Sequence, residues 1–252
     1  MIRSPIPRVL STLSANGVRA LLMGGQACVL YGAAEFSRDV DVAVAADGRS
    51  LRRLRTALAE LRAEPIYFPK LSAETLRRGH ACHFRCRGEA LDDIRLYVMS
   101  VMRGVGPFAS LWKRRVELDL PDGTRVSLLS LPDLVAAKKT QRDKDWPMIR
   151  RLIEADVAAA QRAPGAARIG FWLRECRTPQ LLIELAGRHR RIALAIARVR
   201  SAVRAALAGD IPTVEQELAA EEIEERRRDA EYWSPLKTEL ERLRLQRTKT
   251  SR

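Results

Sequence analysis

Leu21–Val44 reads LLMGGQACVLYGAAEFSRDVDVAV, and the order of elements in it decides the fold. An apolar run ends at Gly24-Gly25, a helix-length segment follows, and an apolar strand then carries Asp39 and Asp41. Side chains at i and i+2 of a strand point to the same face, so these two carboxylates converge on one spot. Two adjacent carboxylates repel unless a proton or cation sits between them. Mg²⁺ suits that role, because it takes one or two carboxylates together with phosphate oxygens. Glycines facing such a site let the backbone approach a triphosphate closely. Asp41 also stands among Val40, Val42 and Val44, where a carboxylate without a bound partner would cost stability. Gly-Gly alone is a common strand–helix turn and Asp-x-Asp alone is common on surface strands. Their combination points to a site for metal-bound nucleotide.

Outward from this stretch, Pro5–Asn16 has the apolar spacing of an amphipathic helix stopped by Gly17. Val18–Met23 is a buried strand, Gln26–Ala34 a helix, and Asp39–Ala45 the second strand. Ser50–Ala63 carries Leu51, Leu54, Leu58 and Leu61 at helical spacing. Strand, helix, strand, helix in this order predicts an α/β fold with a mixed sheet flanked by helices. Pro65–Pro69 reads as a connection, and a short helix runs from Ser72 to Gly79. Ala81–Arg87 and Ile94–Val101 read as strands. Trp112–Leu120 and Thr124–Leu129 flank Pro121-Asp122-Gly123, a hairpin turn. Ser130-Leu-Pro-Asp133 has capping-box spacing and starts a helix expected to run through KKTQRDKD to Trp146. Pro147 then opens a further helical segment to about Gln161. Ala163-Pro164-Gly165-Ala166 is the expected boundary, giving domains 1–162 and 163–252. Beyond it only helices are expected, at Ile169–Cys176, Pro179–Gly187, His189–Leu207, Thr213–Glu231 and from Ser234-Pro235 to about Arg247.

The chain of 252 residues has a formal charge of +14, spread over both halves. Residues 1–160 carry 26 basic and 18 acidic side chains, and residues 161–252 carry 19 and 13. That balance fits a polyanionic partner, nucleic acid first, and equally a protein whose charge only keeps it dispersed; composition weighs the two about evenly. No apolar run approaches the length of a membrane span, and no membrane partner is expected. The N-terminus is too interrupted for a signal peptide. Four cysteines, Cys28, Cys82, Cys86 and Cys176, do not make a disulfide framework in a chain this long, so a cytoplasmic location is expected. His80, Cys82, His83 and Cys86 crowd together, but without C-x-x-C spacing and with Cys82 and His83 on opposite strand faces, zinc is disfavoured.

The segment MGGQACVLYGAAEFSRDVDVAV resembles the nucleotidyltransferase superfamily, whose hallmark is a strand ending in Gly-Gly or Gly-Ser, a helix, and then Asp-x-Asp. Within it the chain looks most like the minimal and AbiEii-type nucleotidyltransferases. Ser37 matches the hydroxyl position before the acids, with Arg38 beside it, while Glu35 stands where Arg is usual. KKTQRDKDW is similar to the downstream K-x-x-x-R-x-K-D segment through Lys138, Arg142, Lys144 and Asp145. The resemblance covers roughly residues 18–155. It implies Mg²⁺ or Mn²⁺ held by Asp39 and Asp41 against a nucleoside triphosphate. Gly24, Gly25, Ser37, Arg38, Lys138, Arg142 and Lys144 would be its nucleotide-binding residues. The implied reaction moves an NMP onto an acceptor hydroxyl. RNA or tRNA is the leading acceptor, given the charge. The AbiEii likeness implies the toxin of a toxin–antitoxin pair, with a cognate antitoxin as partner.

The family's third carboxylate comes from a later strand, and here the matching position in IRLYVMS is Tyr97, a poor Mg²⁺ ligand. Asp93 lies on the same strand face four residues back, and Asp92 points to the other face. Asp93 through a bulge, Asp145, or a weakly held second metal are the three ways to complete the site. The rival reading is a degenerate nucleotidyltransferase fold that binds nucleotide or a partner without turnover.

Overall fold

In a computed structural model the chain is described at residues 5–67, 69–88, 91, 93–160 and 164–250, with side chains up to Leu245. The chain divides into two compact units. The first comprises Met1–Leu30, Ala34–Ala137 and Tyr232–Arg252, and the second Tyr31–Ala33 and Lys138–Glu231. The division therefore falls at Lys138 and within the last helix. The boundary expected between 162 and 163 lies outside the described residues.

The first unit is the α/β part. Its elements are α1 (Ile6–Ala15), β1 (Ala20–Met23), α2 (Gly24–Leu30), β2 (Asp39–Val44), α3 (Gly48–Glu60), β3 (Ala63–Pro65), α4 (Ala73–Arg77), β4 (Cys82–Cys86), β5 (Arg95–Met99), α5 (Phe108–Lys113), β6 (Val116–Asp119), β7 (Arg125–Leu128) and α6 (Leu131–Ala137). Seven strands form one sheet in the order β3-β4-β5-β2-β1-β7-β6. The sheet is mixed, because β2–β5 and β1–β7 run parallel and the other four pairings antiparallel. The central strands are the apolar ones: Leu21, Leu22, Val40, Val42, Leu96 and Val98 are buried. Strands enclosed on both faces are favoured in this position. Local signals set the helix ends. Asp47 accepts a hydrogen bond from the Ser50 amide to cap α3, and Ser72 accepts one from the Thr75 amide to cap α4. Gly17, at φ +65°, closes α1 in the left-handed conformation.

The second unit is all-helical among the described residues: α7 (Asp145–Ala159), α8 (Ala166–Glu175), α9 (Pro179–Arg188), α10 (Arg190–Ile196), α11 (Ser201–Ala208) and the first part of α12 (Ile211–Thr250). No described helix is long and apolar enough to cross a membrane.

Five local expectations change. Ala63–Pro65 is an edge strand paired with β4, where the end of a helix at Ala63 and a connection from Pro65 were expected. Trp112 lies in α5, because Phe108 and Leu111 are buried at helical spacing and delay strand β6 to Val116. Helix α6 stops at Ala137, and Lys138–Lys144 are not α-helical. Asp145 draws Lys138, Thr140 and Arg142 onto its carboxylate, which organises that segment as a turn. His189–Leu207 is two helices, interrupted before Arg200, whose buried guanidinium bonds the Leu173 and Cys176 carbonyls and Glu221. Finally α12 is continuous through Pro235, and its start is capped by Asp210, which accepts from the Thr213 amide and hydroxyl.

Candidate active site

Strand β2 presents Asp39 and Asp41 as half-buried side chains alternating with Val40 and Val42, which are fully buried. The alternation is that of a strand with one apolar face, so both carboxylates lie on the other face. Asp41 pairs in register with Met23 of β1 and with Tyr97 of β5, and Asp39 pairs with Arg95. The carboxylates thus stand where β1 ends and α2 begins.

Gly24 makes that junction. Its φ is +64°, and a Cβ built on it would stand 1.9 Å from Asp41 Oδ2 and 2.8 Å from Asp41 Cβ. Both the backbone conformation and the space exclude a side chain. A Cβ on Gly25 would stand 2.4 Å from Ser37 Oγ. Gly24 therefore presses backbone against the Asp41 carboxylate and Gly25 against Ser37, two residues before Asp39. Gln26, 7 % exposed, donates a side-chain hydrogen bond of 2.7 Å to the Ser37 carbonyl, and Ser37 Oγ lies 3.4 Å from the Asp39 carbonyl. Gln26 fixes the loop before β2, a role sequence reasoning missed. The signal available was a long polar side chain placed immediately after Gly-Gly. Arg38 is exposed, with its guanidinium 5.9 Å from the centre of the Phe36 ring.

Across the sheet from Asp41 runs a row of rings. Tyr97 is the neighbour of Asp41 on β5, and His83 is the neighbour of Tyr97 on β4. The His83 and Tyr97 ring centres are 4.6 Å apart, and Tyr67 packs edge-on against His83 at 5.6 Å. Burial lowers the His83 pKa, which favours the neutral imidazole. Arg95 hydrogen-bonds Tyr97 and lies near Asp39, interactions that raise its own pKa and keep the guanidinium charged.

Asp93 precedes β5, adopts φ +58°, and faces Arg85 at 3.7 Å with its side chain 56 % exposed. The β2–β5 register is unbroken from Asp39 to Ala43, so no bulge brings Asp93 forward. Asp92 lies outside the described residues. Lys138, Arg142, Lys144 and Asp145 belong to the second unit. There Asp145, 1 % exposed, accepts hydrogen bonds from Lys138 Nζ at 2.7 Å, Thr140 Oγ1 at 2.7 Å and Arg142 Nε at 2.8 Å. Lys144 is exposed at the start of α7.

The donor set decides which cation suits the site. Asp39 and Asp41 offer hard oxygen ligands, and no group of three or more His, Cys, Asp or Glu among the described residues forms a complete cage. Two carboxylates with the remaining positions left to water and phosphate oxygens suit Mg²⁺. Soft ligands are not available nearby: burial pushes the Cys82 and Cys86 thiols up to about 11, so they stay protonated at neutral pH.

No protein-family model matches the chain, and no curated protein matches it. Among solved structures it is similar to the crystal structure of a "putative nucleotidyltransferase from H. pylori", with 14 % sequence identity over 89 % of this chain and 93 % of that one. The TM-score is 0.37.

Proposed function

We propose that this protein is a metal-dependent nucleotidyltransferase that moves an NMP from an NTP onto an acceptor hydroxyl. The observation that carries the reading is the packing of Gly24 backbone against the Asp41 carboxylate, with Asp39 on the same strand face. A glycine reaches φ +64° without strain, and its missing Cβ is the space the carboxylate takes, so backbone and carboxylate can stand together as a metal–phosphate site requires. Asp39 and Asp41 would hold Mg²⁺ or Mn²⁺, which when bound neutralises the triphosphate and polarises the α-phosphate. The half-buried backbone at Gly24 and Gly25 would lie along the phosphates, and Arg95 and Arg38 supply positive charge near Asp39 and before it. The acceptor oxygen forms a bond to the α-phosphorus as the bond to the bridging oxygen breaks. Pyrophosphate leaves with that electron pair, and the acceptor proton passes to a base. Positioning and charge neutralisation carry most of such a reaction.

RNA, a tRNA end included, is the proposed acceptor on the strength of the +14 charge. The toxin role and the cognate antitoxin rest on the sequence likeness to AbiEii-type proteins alone. Incubation with each labelled NTP, Mg²⁺ or Mn²⁺, and total RNA or protein extract tests the reading. Transfer of label to RNA is expected, and absence of transfer to any acceptor with every NTP overturns it.

A second reading is favoured by Tyr97, which sits beside Asp41 where a third acid would complete the ligand set. On it the fold binds metal–nucleotide without turnover. Tyr97→Asp separates the two. If the natural protein is active, adding a third charge there changes its rate by less than about tenfold, because catalysis already proceeds without it. If only the variant transfers label, the natural protein is a binding module.

Gly24→Ala tests the cradle. It is expected to destabilise by about 1–3 kcal/mol from backbone strain and to lose Mg²⁺–NTP binding by displacing Asp41. Gly123→Ala is the control for strain, since Gly123 has φ +82° with nothing within 4 Å of its Cβ position. Equal losses of nucleotide binding in both variants would remove the special role of Gly24.

A further inference from the structure

From Leu185 to Gly209 the chain has no Asp or Glu and has six arginines, Arg188, Arg190, Arg191, Arg198, Arg200 and Arg204. The folded second unit sorts these six. Arg200 is buried against Glu221 at 2.9 Å, Arg188 pairs with Glu184 at 2.5 Å, and Arg204 donates to the Ala197 carbonyl at 3.1 Å. Arg190, Arg191 and Arg198 are exposed, and no acidic side chain among the described residues pairs with them. Within α10, Ala193 and Ile196 turn into the core and leave Arg190, Arg191 and Leu194 exposed, while Arg198 and Val199 are exposed in the turn that follows. The outward face therefore shows Arg190, Arg191, Leu194 and Arg198, with Leu194 52 % and Val199 86 % exposed. Arg227 and Arg228 of the same unit, by contrast, are held by Glu224. The α10 face is basic and unopposed.

We propose that this face, α10 with the turn through Val199, binds the sugar–phosphate backbone of a nucleic acid. Guanidinium forks match phosphate oxygens two at a time. The uncancelled charge attracts a polyanion at long range, and an acid-free stretch repels none of it. Leu194 and Val199 are isolated side chains, so they offer no groove for a peptide. They are also too few to insert a helix whose other apolar residues face inward into a lipid surface. The surface goes beyond the transfer reaction; only the identification of the bound strand as the acceptor rests on the proposed function.

The test uses the full chain and labelled single-stranded RNA, hairpin RNA and duplex DNA, followed by fluorescence anisotropy without NTP or divalent metal. Binding is expected, with salt dependence measured from about 50 to 200 mM. The triple variant Arg190→Ala, Arg191→Ala, Arg198→Ala is expected to weaken binding roughly tenfold or more and to flatten the salt slope by about 2 to 3. All three side chains are exposed, so the fold is retained, which circular dichroism checks. A second triple, Arg125→Ala, Arg227→Ala, Arg228→Ala, removes the same charge from acid-neutralised positions and is expected to bind as the natural protein does. Equal loss in both triples would mean bulk charge and overturn the surface. So would no binding to any of the three nucleic acids, or capture by anionic vesicles or poly-glutamate in their place. Running the assay on Asp41→Ala keeps the two readings apart: binding without transfer leaves this surface standing, and loss of binding in the α10 triple with transfer unchanged overturns only the identification of the bound strand as the acceptor.

Discussion

Asp41→Ala is expected to lower NMP transfer by at least ~10²- to 10³-fold, the scale on which enzymes lose rate when a preorganised charge-handling group is removed. Asp39→Ala is expected to do the same, and the double variant to add little, because on the proposed function the two carboxylates would act as one ligand set and such residues are non-additive. The same substitutions should cost little stability. Both side chains are half-buried on the non-apolar face of β2, so shortening them to Ala loses little apolar packing. Activity and stability thus move independently, which is the usual mark of a site maintained for function against the preference of the fold. Thermal midpoints measured beside label transfer check it. Transfer that survives both single substitutions would sink the site assignment. A collapse in thermal midpoint would instead make the pair a folding feature. Asp41→Asn gives the sharper form, since it keeps the shape against Gly24 and removes only the charge.

Much of this geometry was legible because it is local. The alternation of Asp39 and Asp41 with Val40 and Val42 declares a strand with one apolar face, and Gly24-Gly25 declares a turn no side chain fits. The mixed sheet followed from strand and helix order. What stayed hidden depends on partners distant in sequence. Strand β3 is Ala-Glu-Pro, three residues with no pattern, and exists only because β4 pairs with it. Lys138–Lys144 has good helix formers, yet a buried carboxylate seven residues after Lys138 overrides their propensity. Gln26 reaches across eleven residues to hold the Ser37 carbonyl. The α10 arginines look, in sequence, like any basic amphipathic stretch. Only burial of Arg200, pairing of Arg188 and the bond of Arg204 to the Ala197 carbonyl single out the three that are left.

Asp145→Ala is expected to destabilise the protein by about 3–5 kcal/mol, because it strands a buried ammonium. Lys138 is 8 % exposed and Asp145 1 % exposed, and the 2.7 Å bond between them is supported by Thr140 and Arg142. The Trp146 indole donates to the Thr140 carbonyl, and the Gln141 amide donates to Asp229, so the turn is bound to its surroundings by several further groups. Burial by itself would raise the Asp145 pKa, but Lys138, Thr140 and Arg142 together outweigh it and the net shift is downward. The folded pKa is therefore below the unfolded one. The pair stabilises fully above the ordinary carboxylate range, and its contribution is lost as pH falls through the depressed folded value. The stability gap between the natural protein and Asp145→Asn should accordingly be constant near neutral pH and close only in strong acid. Replacing both partners by apolar side chains, Lys138→Met with Asp145→Leu, should recover most of the loss, since a buried pair contributes little over a well-packed apolar one. This series also divides two roles for the segment that resembles the family's K-x-x-x-R-x-K-D. If Lys138 and Arg142 serve the phosphates, the recovered double variant stays inactive despite its restored stability. If they serve the fold of the helical unit, which their contacts with Asp145 support, activity returns with stability. Denaturant midpoints read beside transfer rates distinguish the two, and a cost below about 1 kcal/mol for Asp145→Ala would discard the structural role.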